Sequence, residues 1–465
     1  MSGLMEKIHF LHTNDIHSHL ENWPTIQAFL TKRKQQLKAE NETVLTIDVG
    51  DFCDRWHPLT DASAGLANTE LLNAASYDLV TIGNNEGLGF SQEQLNQLYQ
   101  QANFKVILTN LFDQKTKKRP TWCVDHFIIQ TKMQTRIAFI GLTAAFEAGY
   151  AANGWLIQDP LECLAACLPA IKTQAEVIVL ISHLGVSLDQ KIAQRYPEIG
   201  VIIGGHTHHL FANGKLVGQT LLTAAEKYGH FIGEITLTIE NKQIKAKKAV
   251  TYDVAALLQP AENELKSKEL FAVGQELLAQ QTLAKLPFDL SMEPFNQPAF
   301  SMIDAIQECL KSVRDCEVVL FNTGLVCKEL KAGMVNKYDL HQCLPHLMHL
   351  VSIELSGENL VRLAGEIHKN KGFLLYYHPR GLGFRGSEFG RIISNDLSYD
   401  PLSQQGFLQG EKIDLSKKYT IVTLDYLVYL PFFPTLELTG KIELIYPKLL
   451  REYFGAYLAK KYPVK

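Results

Sequence analysis

The sequence predicts an α/β domain followed by an α+β domain. Through roughly the first 250 residues, short apolar segments alternate with segments of helical pattern, and buried strands separated by helices are typical of layered α/β domains. The second half shows more β pattern. It opens with a predicted helix at Ser301–Val313 and a strand at Cys316–Phe321, and it ends in a predicted helix near Tyr446–Lys460.

The elements of the first half are assigned from their apolar runs and periodicity. The predicted strands are Ile8–Thr13, Val44–Asp48, Leu79–Ile82, Phe104–Thr109, Arg136–Ile140, Val177–Ile181, Val201–Ile203 and Leu221–Ala224. The predicted helices between them include Trp23–Glu40, Ser91–Gln101 and Asp159–Gln174. A polar, strongly helical segment from Ala261 to about Gln281 then separates the two halves. We therefore predict a first domain at 1–255, a linker helix within 256–285 and a second domain at 286–465.

Charge and composition exclude several classes of protein. The net charge is −4, and the sequence has no long basic stripe that could bind nucleic acid. No apolar run reaches the ~18 residues of a membrane-spanning helix, and the N-terminus has no apolar core of a secretory signal. The eight cysteines form no paired framework, so we expect reduced thiols. These features predict a cytoplasmic protein without a nucleic-acid or membrane partner, and they leave the oligomeric state open.

Polar residues follow five of the predicted strands, most of them with glycine alongside. The segments are "HTNDIHSH", "VGDFCD", "GNNEG", "SHLG" and "GGHTHH". Ligands of α/β sheets bind beyond the carboxyl ends of the strands. We therefore expect these segments to meet at one edge and to form a site, although they are almost 200 positions apart in sequence.

The side chains in these segments are those of a metal site. Asp15 and His17 are two residues apart, a spacing that on extended backbone points both side chains to the same face. The candidate ligands are Asp15, His17, Asp51, Asn84, His183, His206 and His208. Each motif alone is often merely structural, but five in this order after apolar strands indicate a metal centre. Oxygen and nitrogen donors without thiolate suit Mn, Fe, Zn, Co or Ni, and the sequence leaves the identity open.

The order D-x-H, GD, GN, a lone H and GHxH resembles that of the calcineurin-like metallophosphoesterases. The segments "LHTNDIHS", "IGNNE", "LISHLG", "VIIGGHTHH" and "AAEKYGHFIG" resemble the 5′-nucleotidase family within that superfamily, and "VVLFNTG" and "YTIVTLDYL" resemble parts of its second domain. The resemblance implies a four-layer α/β/β/α metallophosphoesterase domain followed by a 5′-nucleotidase C-terminal-type α+β domain.

The resemblance also implies a two-metal phosphohydrolase. By position, Asp15, His17 and His208 would bind one divalent ion, Asn84, His183 and His206 would bind the other, and Asp51 would bridge them. A hydroxide that bridges the ions would attack the phosphorus of a nucleotide 5′-monophosphate or a related small-molecule phosphate ester.

The sequence departs from the family at a catalytic pair. The family follows its metal-binding Asn with a His that pairs with an Asp three residues later, whereas Asn85 and Leu88 stand here. Asn85 can donate a hydrogen bond to a phosphoryl oxygen, but it cannot carry a proton to a leaving alkoxide. We hypothesise that Arg55 or His57 reaches the phosphoryl group instead. The alternative is that both residues only fix their loop.

The second domain departs further. In the family it sandwiches a base between two aromatic rings and grips the nucleotide with arginines. Candidate substrate residues by this resemblance are Asn322, Gly324, Phe384, Arg385, Tyr399 and Tyr426, with Arg380 and Arg391 as further candidates near Arg385. Cys327 stands where the family has an Arg, and "LPFF" replaces a Gly-Gly-Asp-Gly turn. A core or turn role for each aromatic residue is the alternative.

Two other functions stay open on sequence alone. The absence of a proton donor mildly favours esters with good leaving groups, so the chain could be a phosphodiesterase or pyrophosphatase for cyclic nucleotides or nucleotide sugars. A metal-loaded nucleotide sensor of low activity is the third reading, although a degraded enzyme would be expected to lose some of its seven candidate ligands.

Overall fold

The chain folds into two compact units. The computed structural model describes residues 5–257, 260–292, 300–381, 383–394 and 396–464. The first unit is Met1–Gly274 and the second is Gln275–Lys465. The division lies within the helix Pro260–Ala279, in the segment whose polar helical pattern led us to predict a linker.

Two sheets form the centre of the first unit. Its strands are β1 (Met5–Thr13), β2 (Thr43–Asp48), β3 (Leu79–Val80), β4 (Lys105–Ile107), β5 (Leu111–Asp113), β6 (Cys123–Val124), β7 (His126–Gln130), β8 (Arg136–Thr143), β9 (Trp155–Ile157), β10 (Val177–His183), β11 (Val201–Gly204), β12 (Lys215–Val217), β13 (Thr220–Thr223), β14 (Phe231–Glu240) and β15 (Gln243–Asp253). The first sheet has the order β15-β14-β1-β2-β3-β4-β6 and the second has the order β12-β13-β11-β10-β8-β7, while β5 and β9 pair separately. The strands that precede the candidate site are parallel within each sheet.

The two sheets pack face to face through an apolar layer. Alternate residues of a strand point to opposite faces of its sheet, and here both faces are buried. Val177, Val179 and Ile181 of β10 pack between the sheets, whereas Ile178 and Leu180 face the helices. This burial on both faces explains why the strands read as continuous apolar runs.

Helices cover the outer face of each sheet. They are α1 (Trp23–Ala39), α2 (Pro58–Ala62), α3 (Leu66–Ala74), α4 (Asn84–Gly89), α5 (Gln92–Leu98), α6 (Glu147–Ala152), α7 (Pro160–Gln174), α8 (Val186–Arg195) and α9 (Pro260–Ala279). Residues of α1, α3 and α5 pack on the first sheet, and α7 and α8 pack on the second. The first unit therefore has the four layers α/β/β/α that the resemblance implies.

The second unit combines several small sheets with helices around one core. Its strands are β16 (Thr282–Leu286), β17 (Val318–Val319), β18 (Phe321–Asn322), β19 (Gly333–Asn336), β20 (His349–Ser356), β21 (Ile392–Ile393), β22 (Leu397–Asp400), β23 (Gln405–Leu408), β24 (Glu411–Lys412), β25 (Lys418–Leu424) and β26 (Lys441–Leu449). Its helices are α10 (Met302–Val313), α11 (Lys337–Cys343), α12 (Gly357–Leu374), α13 (Asp425–Val428), α14 (Pro434–Thr439) and α15 (Leu450–Lys461). The largest sheet has four strands in the order β17-β25-β20-β26, which makes this unit α+β as predicted.

Most predicted elements occur within a few residues of their expected bounds, with one exception at the C-terminus. The helix predicted near Tyr446–Lys460 begins only at Leu450, because Tyr446 to Leu449 complete β26. All eight cysteines are free, as expected. None of the helices in the described ranges has the length and apolar character needed to cross a membrane.

Candidate functional site

Five strand ends from both sheets of the first unit supply the candidate metal site. Asp15 and Asp51 follow β1 and β2, and Asn84 opens α4 after β3. His183 is the last residue of β10, while His206 and His208 follow β11. The strands of each sheet that supply these residues are parallel, so their carboxyl ends lie side by side, and the seven predicted side chains come to one end of the face-to-face sheets.

The centre of this cluster is formed by two buried carboxylates and an imidazole. His183 Nε2 lies 3.3 Å from Asp51 Oδ2 and 3.9 Å from Asp15 Oδ1. Donor atoms of Asp15, Asp51 and His183 all lie within 4.8 Å of one another. This spacing allows all three to coordinate one cation.

A second group shares Asp15 with the first. Donor atoms of Asp15, His17 and His208 also lie within 4.8 Å of one another, with 3.5 Å between His208 Nε2 and Asp15 Oδ1 and 3.2 Å between the Nε2 atoms of His17 and His208. Asp15 thus belongs to both groups, whereas the resemblance implies Asp51 as the bridging residue. Asp51 Oδ2 is also close to the second group, 3.6 Å from His17 Nε2.

The donor chemistry fits a metal ion. His183 Nδ1 lies 2.9 Å from the Val49 carbonyl oxygen, an acceptor that places the ring proton on Nδ1. Its Nε2 atom is then an electron-pair donor, and it is buried without a hydrogen-bond partner. Asn84 Oδ1 is likewise buried without one. Unpartnered buried polar atoms are costly in proteins, and a cation would satisfy both.

The remaining predicted ligand, His206, is near the centre. Its ring centroid is 5.2 Å from that of His183, and its backbone N–H donates to both oxygens of Asp15 at 3.1 and 3.0 Å. His206 is in neither of the two closely spaced groups described above. Its role as a ligand, like the assignment of each residue to one of two ions, stays a prediction.

The ligand-bearing backbone is strained. Five of the seven candidate ligands have φ in the left-handed region, where side chains with a Cβ are uncommon: Asp15 (52°), His17 (49°), Asp51 (52°), His206 (73°) and His208 (55°). Such strain concentrates at functional sites, where the surrounding contacts hold it in place.

Contacts between loops hold these conformations. The loop after β1 binds the loop after β2 through backbone hydrogen bonds from Asp15 N to Gly50 O (3.0 Å) and from His17 N to Asp51 O (2.7 Å). Gly83 has to be glycine because a Cβ there would lie 2.0 Å from Asp51 Oδ1. The G-D and G-N motifs therefore reflect a close approach of two loops as well as the ligands themselves.

The sequence reasoning missed Glu86, which organises this end of the first sheet. The Glu86 carboxylate is fully buried and accepts backbone N–H groups from Asp51 (2.9 Å), Cys53 (2.7 Å) and Gly83 (2.8 Å). It thereby joins the loop of Asp51 to the start of α4, which carries Asn84 and Asn85. The Glu in "GNNE" at the third position of a helix was the available signal, because that position commonly reaches back to the helix start.

The pKa values of the side chains in this cluster reflect their burial and the charges of their neighbours. Burial alone would raise the pKa of Asp51, but His183 and the Asn85 N–H lower it. Burial alone would lower the pKa of His183, but Asp51 and Asp15 raise it. At the rim, burial and neighbouring imidazoles lower the pKa of both His206 and His208 to about 4. These two rings are therefore neutral at physiological pH, the state in which histidine binds metal.

The three predicted catalytic residues have different surroundings. Asn85 Nδ2 lies 2.9 Å from His17 Nδ1, beside the candidate metal site. Arg55 is buried, with Nε donating to Asp61 Oδ1 at 2.8 Å and Nη1 donating to Gly89 O at 3.1 Å.

His57 lies at the N-cap of α2, and its Nδ1 accepts the Leu59 N–H. The contacts of Arg55 and His57 favour the alternative in which both residues fix their loop. A catalytic role for either residue stays a prediction, which turnover of His57→Ala and Arg55→Ala variants would test.

In the second unit, three predicted substrate residues lie in the core. Phe384 and Tyr426 are buried and stack on each other, with 5.8 Å between ring centroids and 30° between planes. Asn322 is fully buried, and its Oδ1 accepts the Tyr426 hydroxyl while its Nδ2 donates to Phe389 O at 2.6 Å. The rings therefore have the core role that the sequence left open as the alternative to base stacking.

The other substrate candidates are distributed over the surface of this unit. Gly324 and Arg385 line a cavity of about 760 Å³, together with Arg391. Tyr399, on β22, contacts α12, with its ring 5.9 Å from that of His368 and near Gly365. Tyr399 does not line the cavity, so Gly324 and Arg385 are the predicted substrate residues that adjoin it.

Comparison with known proteins agrees with this architecture. A family model of calcineurin-like phosphoesterases matches residues 8–210. The uncharacterised metallophosphoesterase YunD of Bacillus subtilis (strain 168) is 34% identical to this chain, covering 98% of it and 100% of YunD. The 5′-nucleotidase of Vibrio vulnificus (strain CMCP6) is 22% identical, covering 76% of this chain and 74% of that protein.

A solved structure extends the likeness over both units. NAD nucleotidase of Haemophilus influenzae matches with a TM-score of 0.61 at 18% identity, covering 98% of this chain and 97% of that one. This match supports a 5′-nucleotidase-type fold, with a C-terminal α+β domain after the metallophosphoesterase domain. Because YunD is 34% identical over nearly the full length of both chains, the relationship to it is one of sequence as well as of fold. This chain is a hydrolase that belongs to the calcineurin-like metallophosphoesterase family.

Proposed function

We propose that the chain is a dinuclear metal-dependent phosphohydrolase that acts on a nucleotide 5′-monophosphate or a related phosphate ester. The observation that carries this proposal is the convergence of Asp15, Asp51 and His183, whose donor atoms lie within 4.8 Å of one another. The His183 Nε2 atom at their centre makes no hydrogen bond. A buried cluster of this composition is stable only if a cation or protons neutralise it.

In this proposal Asp15, His17 and His208 would hold one ion, Asn84, His183 and His206 would hold the other, and Asp51 would contribute to both. When bound, two divalent ions supply Lewis-acid stabilisation of the phosphoryl oxygens and activate water as the nucleophile. The native ions are drawn from Mn, Zn, Co, Fe and Ni. The neutral His206 and His208 rings at the rim add no negative charge that would repel an incoming anion.

The Asn85 side chain lies close enough to the cluster to assist. Its backbone N–H donates to Asp51 Oδ1 at 2.7 Å, which orients that carboxylate. Its amide can donate to a phosphoryl oxygen but carries no transferable proton. The resemblance implies a His that pairs with an Asp at this place, whereas Asn85 and Leu88 stand here. Departure of the alcohol therefore depends on its own acidity or on a proton from solvent.

A phosphate-release screen on metal-reconstituted protein tests the proposal. The substrates are nucleoside mono- and diphosphates, cyclic nucleotides, nucleotide sugars and non-nucleotide esters, with Mn, Co, Zn and Mg each supplied. We expect about two ions per chain by elemental analysis and at least a 10³-fold loss of kcat in Asp51→Asn. Glu93→Gln, an exposed carboxylate on α5, is the matched control and should retain full activity. A wild-type chain that binds no metal contradicts the proposal.

A second candidate function follows from the Asn85 and Leu88 positions. Without a proton donor, a diphosphate or aryl oxygen leaves more easily than a sugar alkoxide. This favours a pyrophosphatase acting on nucleotide sugars, whereas a phosphodiesterase acting on cyclic nucleotides would still expel a sugar alkoxide. Neither cleavage releases phosphate itself, so chromatography of the products from the same substrates would reveal either activity as higher kcat/KM. Tight nucleotide binding without phosphate release would instead indicate a sensor.

A further inference from the structure

Three stacked rings fill the part of the second unit where the family resemblance leads one to expect a base. Phe384 lies between Tyr426 and His346, with centroid distances of 5.8 Å and 5.1 Å and interplanar angles of 30° and 23°. The exposed fractions of Phe384, Tyr426 and His346 are 5%, 2% and 1%. The three rings are therefore packed as a core layer, in which the neighbouring rings cover both faces of Phe384.

Hydrogen bonds lock both ends of this stack. The Tyr426 hydroxyl donates to Asn322 Oδ1, and Asn322 donates in turn to Phe389 O. At the other end, His346 Nδ1 accepts the Arg385 backbone N–H at 2.9 Å, and its Nε2 donates to Leu325 O at 2.7 Å. Each polar atom of the Tyr426 and His346 rings thus has a partner within the unit.

A base would have to break this arrangement in order to be sandwiched. Two aromatic contacts of about 3.5 Å each place the clamping rings roughly 7 Å apart. The Phe384 and Tyr426 centroids are only 5.8 Å apart, and both rings are buried. Opening the pair would expose apolar surface and leave Asn322 without its donor, which is costly for a buried polar group.

The neighbouring cavity offers a different kind of surface. Its volume of about 760 Å³ suits a small ligand. Its described lining contains no aromatic side chain. It includes the polar residues Arg385, Arg391, Thr323, Ser387 and Glu388, together with the apolar Met292, Ile303, Val326 and Leu375. Guanidinium and hydroxyl groups suit hydroxylated and anionic ligands. Cys327, which also lines it, supplies no charge where the family resemblance implies an arginine.

We propose that this enzyme takes phosphate esters of small, hydroxylated, non-aromatic alcohols, such as sugar phosphates, and recognises them without stacking a base. This inference rests on the proposed function, because it names the substrate class of that reaction. A nucleotide is then hydrolysed as a ribose phosphate whose base adds little to recognition.

Adenosine 5′-monophosphate and ribose 5-phosphate form a matched pair that tests the inference. Both carry the phosphate on the 5′ oxygen of ribose, and adenine is the main difference. Stacking on aromatic rings is worth about 1–3 kcal/mol per base, so a base clamp would favour the nucleotide about 5- to 150-fold in kcat/KM. We expect the two kcat/KM values to agree within about threefold. A tenfold or larger preference for the nucleotide would overturn the inference.

Variants separate a core role of the stack from a binding role. Phe384→Leu and Tyr426→Phe should lower the Tm while changing both kcat/KM values by the same factor. Phe373→Leu is the matched control, because that ring is 58% exposed and lies on the surface of the same unit. A selective loss of nucleotide hydrolysis in Phe384→Leu, with Phe373→Leu unchanged, would show that the Phe384 ring contacts the base, and would overturn the inference.

The failure of this inference can be told apart from failure of the proposed function. Preference for the nucleotide would refute only the base-independent recognition. Cleavage of a diester to its monoester, with no phosphate released from either of the two monoesters, would keep a phosphohydrolase and overturn the inference. Metal-loaded protein that hydrolyses none of these esters would contradict the proposed function itself.

Discussion

At the scale of single residues, the candidate metal site depends on which nitrogen of each histidine is left for a metal. A histidine ligand usually donates its other N–H to an acceptor that fixes the tautomer. The Val49 carbonyl does this for His183. For His17, the Asp54 carboxylate lies 3.5 Å from Nδ1 and the Asn85 amide lies 2.9 Å away. Asp54 is buried, and a carboxylate can only accept, so it favours a proton on Nδ1. Asn85 Nδ2 is itself a donor, so a free Nε2 also requires the Asn85 amide to turn its oxygen towards the ring.

We predict that Asp54 positions His17 for metal binding. Asp54→Leu removes the acceptor and should weaken the affinity for one ion about 10- to 100-fold, the usual effect of losing an outer partner, whereas Asp54→Asn keeps one acceptor oxygen and should lose less. Competition with a chelator of known affinity measures this. Asp61→Asn serves as the control, because Asp61 pairs with Arg55 in the same region. Equal affinities in Asp54→Leu and wild type would refute the assignment.

A second prediction concerns Glu86. Its two oxygens accept three backbone N–H groups, from Asp51, Cys53 and Gly83. Glu86→Gln replaces one acceptor with an NH2 that faces N–H donors, so we expect a loss of about 2–4 kcal/mol in unfolding free energy. Urea denaturation followed by circular dichroism measures it. Metal affinity should fall as well, because Asp51 and Asn84 lose their common support; unchanged affinity would mean that the loop is held by other contacts.

At the scale of secondary-structure elements, strands and helices of the first unit are joined by a buried carboxylate far from the strand ends that carry the ligands. Glu234 on β14 accepts two bonds from Arg33 on α1, at 2.9 and 2.8 Å. It also accepts the Tyr252 hydroxyl of β15 at 2.7 Å and lies 3.0 Å from His9 Nδ1 on β1. One side chain thus links four elements.

This link gives a pH-dependent contribution to stability. Burial alone would raise the pKa of Glu234, but hydrogen bonds from His9, Arg33 and Tyr252 lower it to about 2. A depressed carboxyl pKa stabilises the fold above the unfolded value near 4.5, and the contribution disappears as the pH falls towards 2.

We expect Glu234→Gln to lower the unfolding free energy by about 2–4 kcal/mol at pH 7, and the difference from wild type to shrink at pH 3. Urea titrations at both values measure this. Glu240→Gln is the control on the same strand, since Glu240 pairs at 3.5 Å with the exposed Lys245, and such surface pairs are worth about 1 kcal/mol or less. A Glu234→Gln effect that is equal at both pH values would contradict the linkage.

The sequence predicted the elements that have strong periodicity and the ligands that follow them. Strands β10 and β11 are largely continuous apolar runs, β1 and β2 contain apolar residues interrupted by polar ones, and each of the four ends at or within a few residues of a candidate ligand. The roles of Glu86, Asp54 and Val49 were not predicted, because they depend on contacts between loops distant in sequence. The last helix was predicted to begin near Tyr446, whereas Tyr446 to Leu449 complete β26 and the helix begins at Leu450.

Resemblance was a weaker guide in the second unit. Motif positions indicated Tyr426 as one ring of a base clamp and either Phe384 or Tyr399 as the other, with a core role as the alternative for each, and Phe384 and Tyr426 pack together in the core. An aromatic residue at a matching position does not determine whether its ring faces a cavity or the interior. The interior was favoured here by neighbours that no motif describes, namely His346, Asn322 and Phe389.

At the scale of the whole molecule, the proposed metal centre connects the two sheets of the first unit. Asp15 and Asp51 come from the first sheet, and His183 and His208 come from the second. The apolar layer between the sheets already joins them along their length. Bound ions would add a second connection at the strand ends, where the backbone is strained.

Metal removal should therefore destabilise the first unit in a localised way. Ions present at about 100 times their Kd stabilise the folded state by about 2.7 kcal/mol, so chelation should lower the Tm and speed amide hydrogen exchange near the ends of β10 and β11. Exchange in β20 and β25 of the second unit provides the internal reference and should change little. A uniform increase over both units would instead indicate general loosening of the fold. No change at the strand ends would mean that protein contacts alone hold the left-handed residues, and that the ions act only on the substrate.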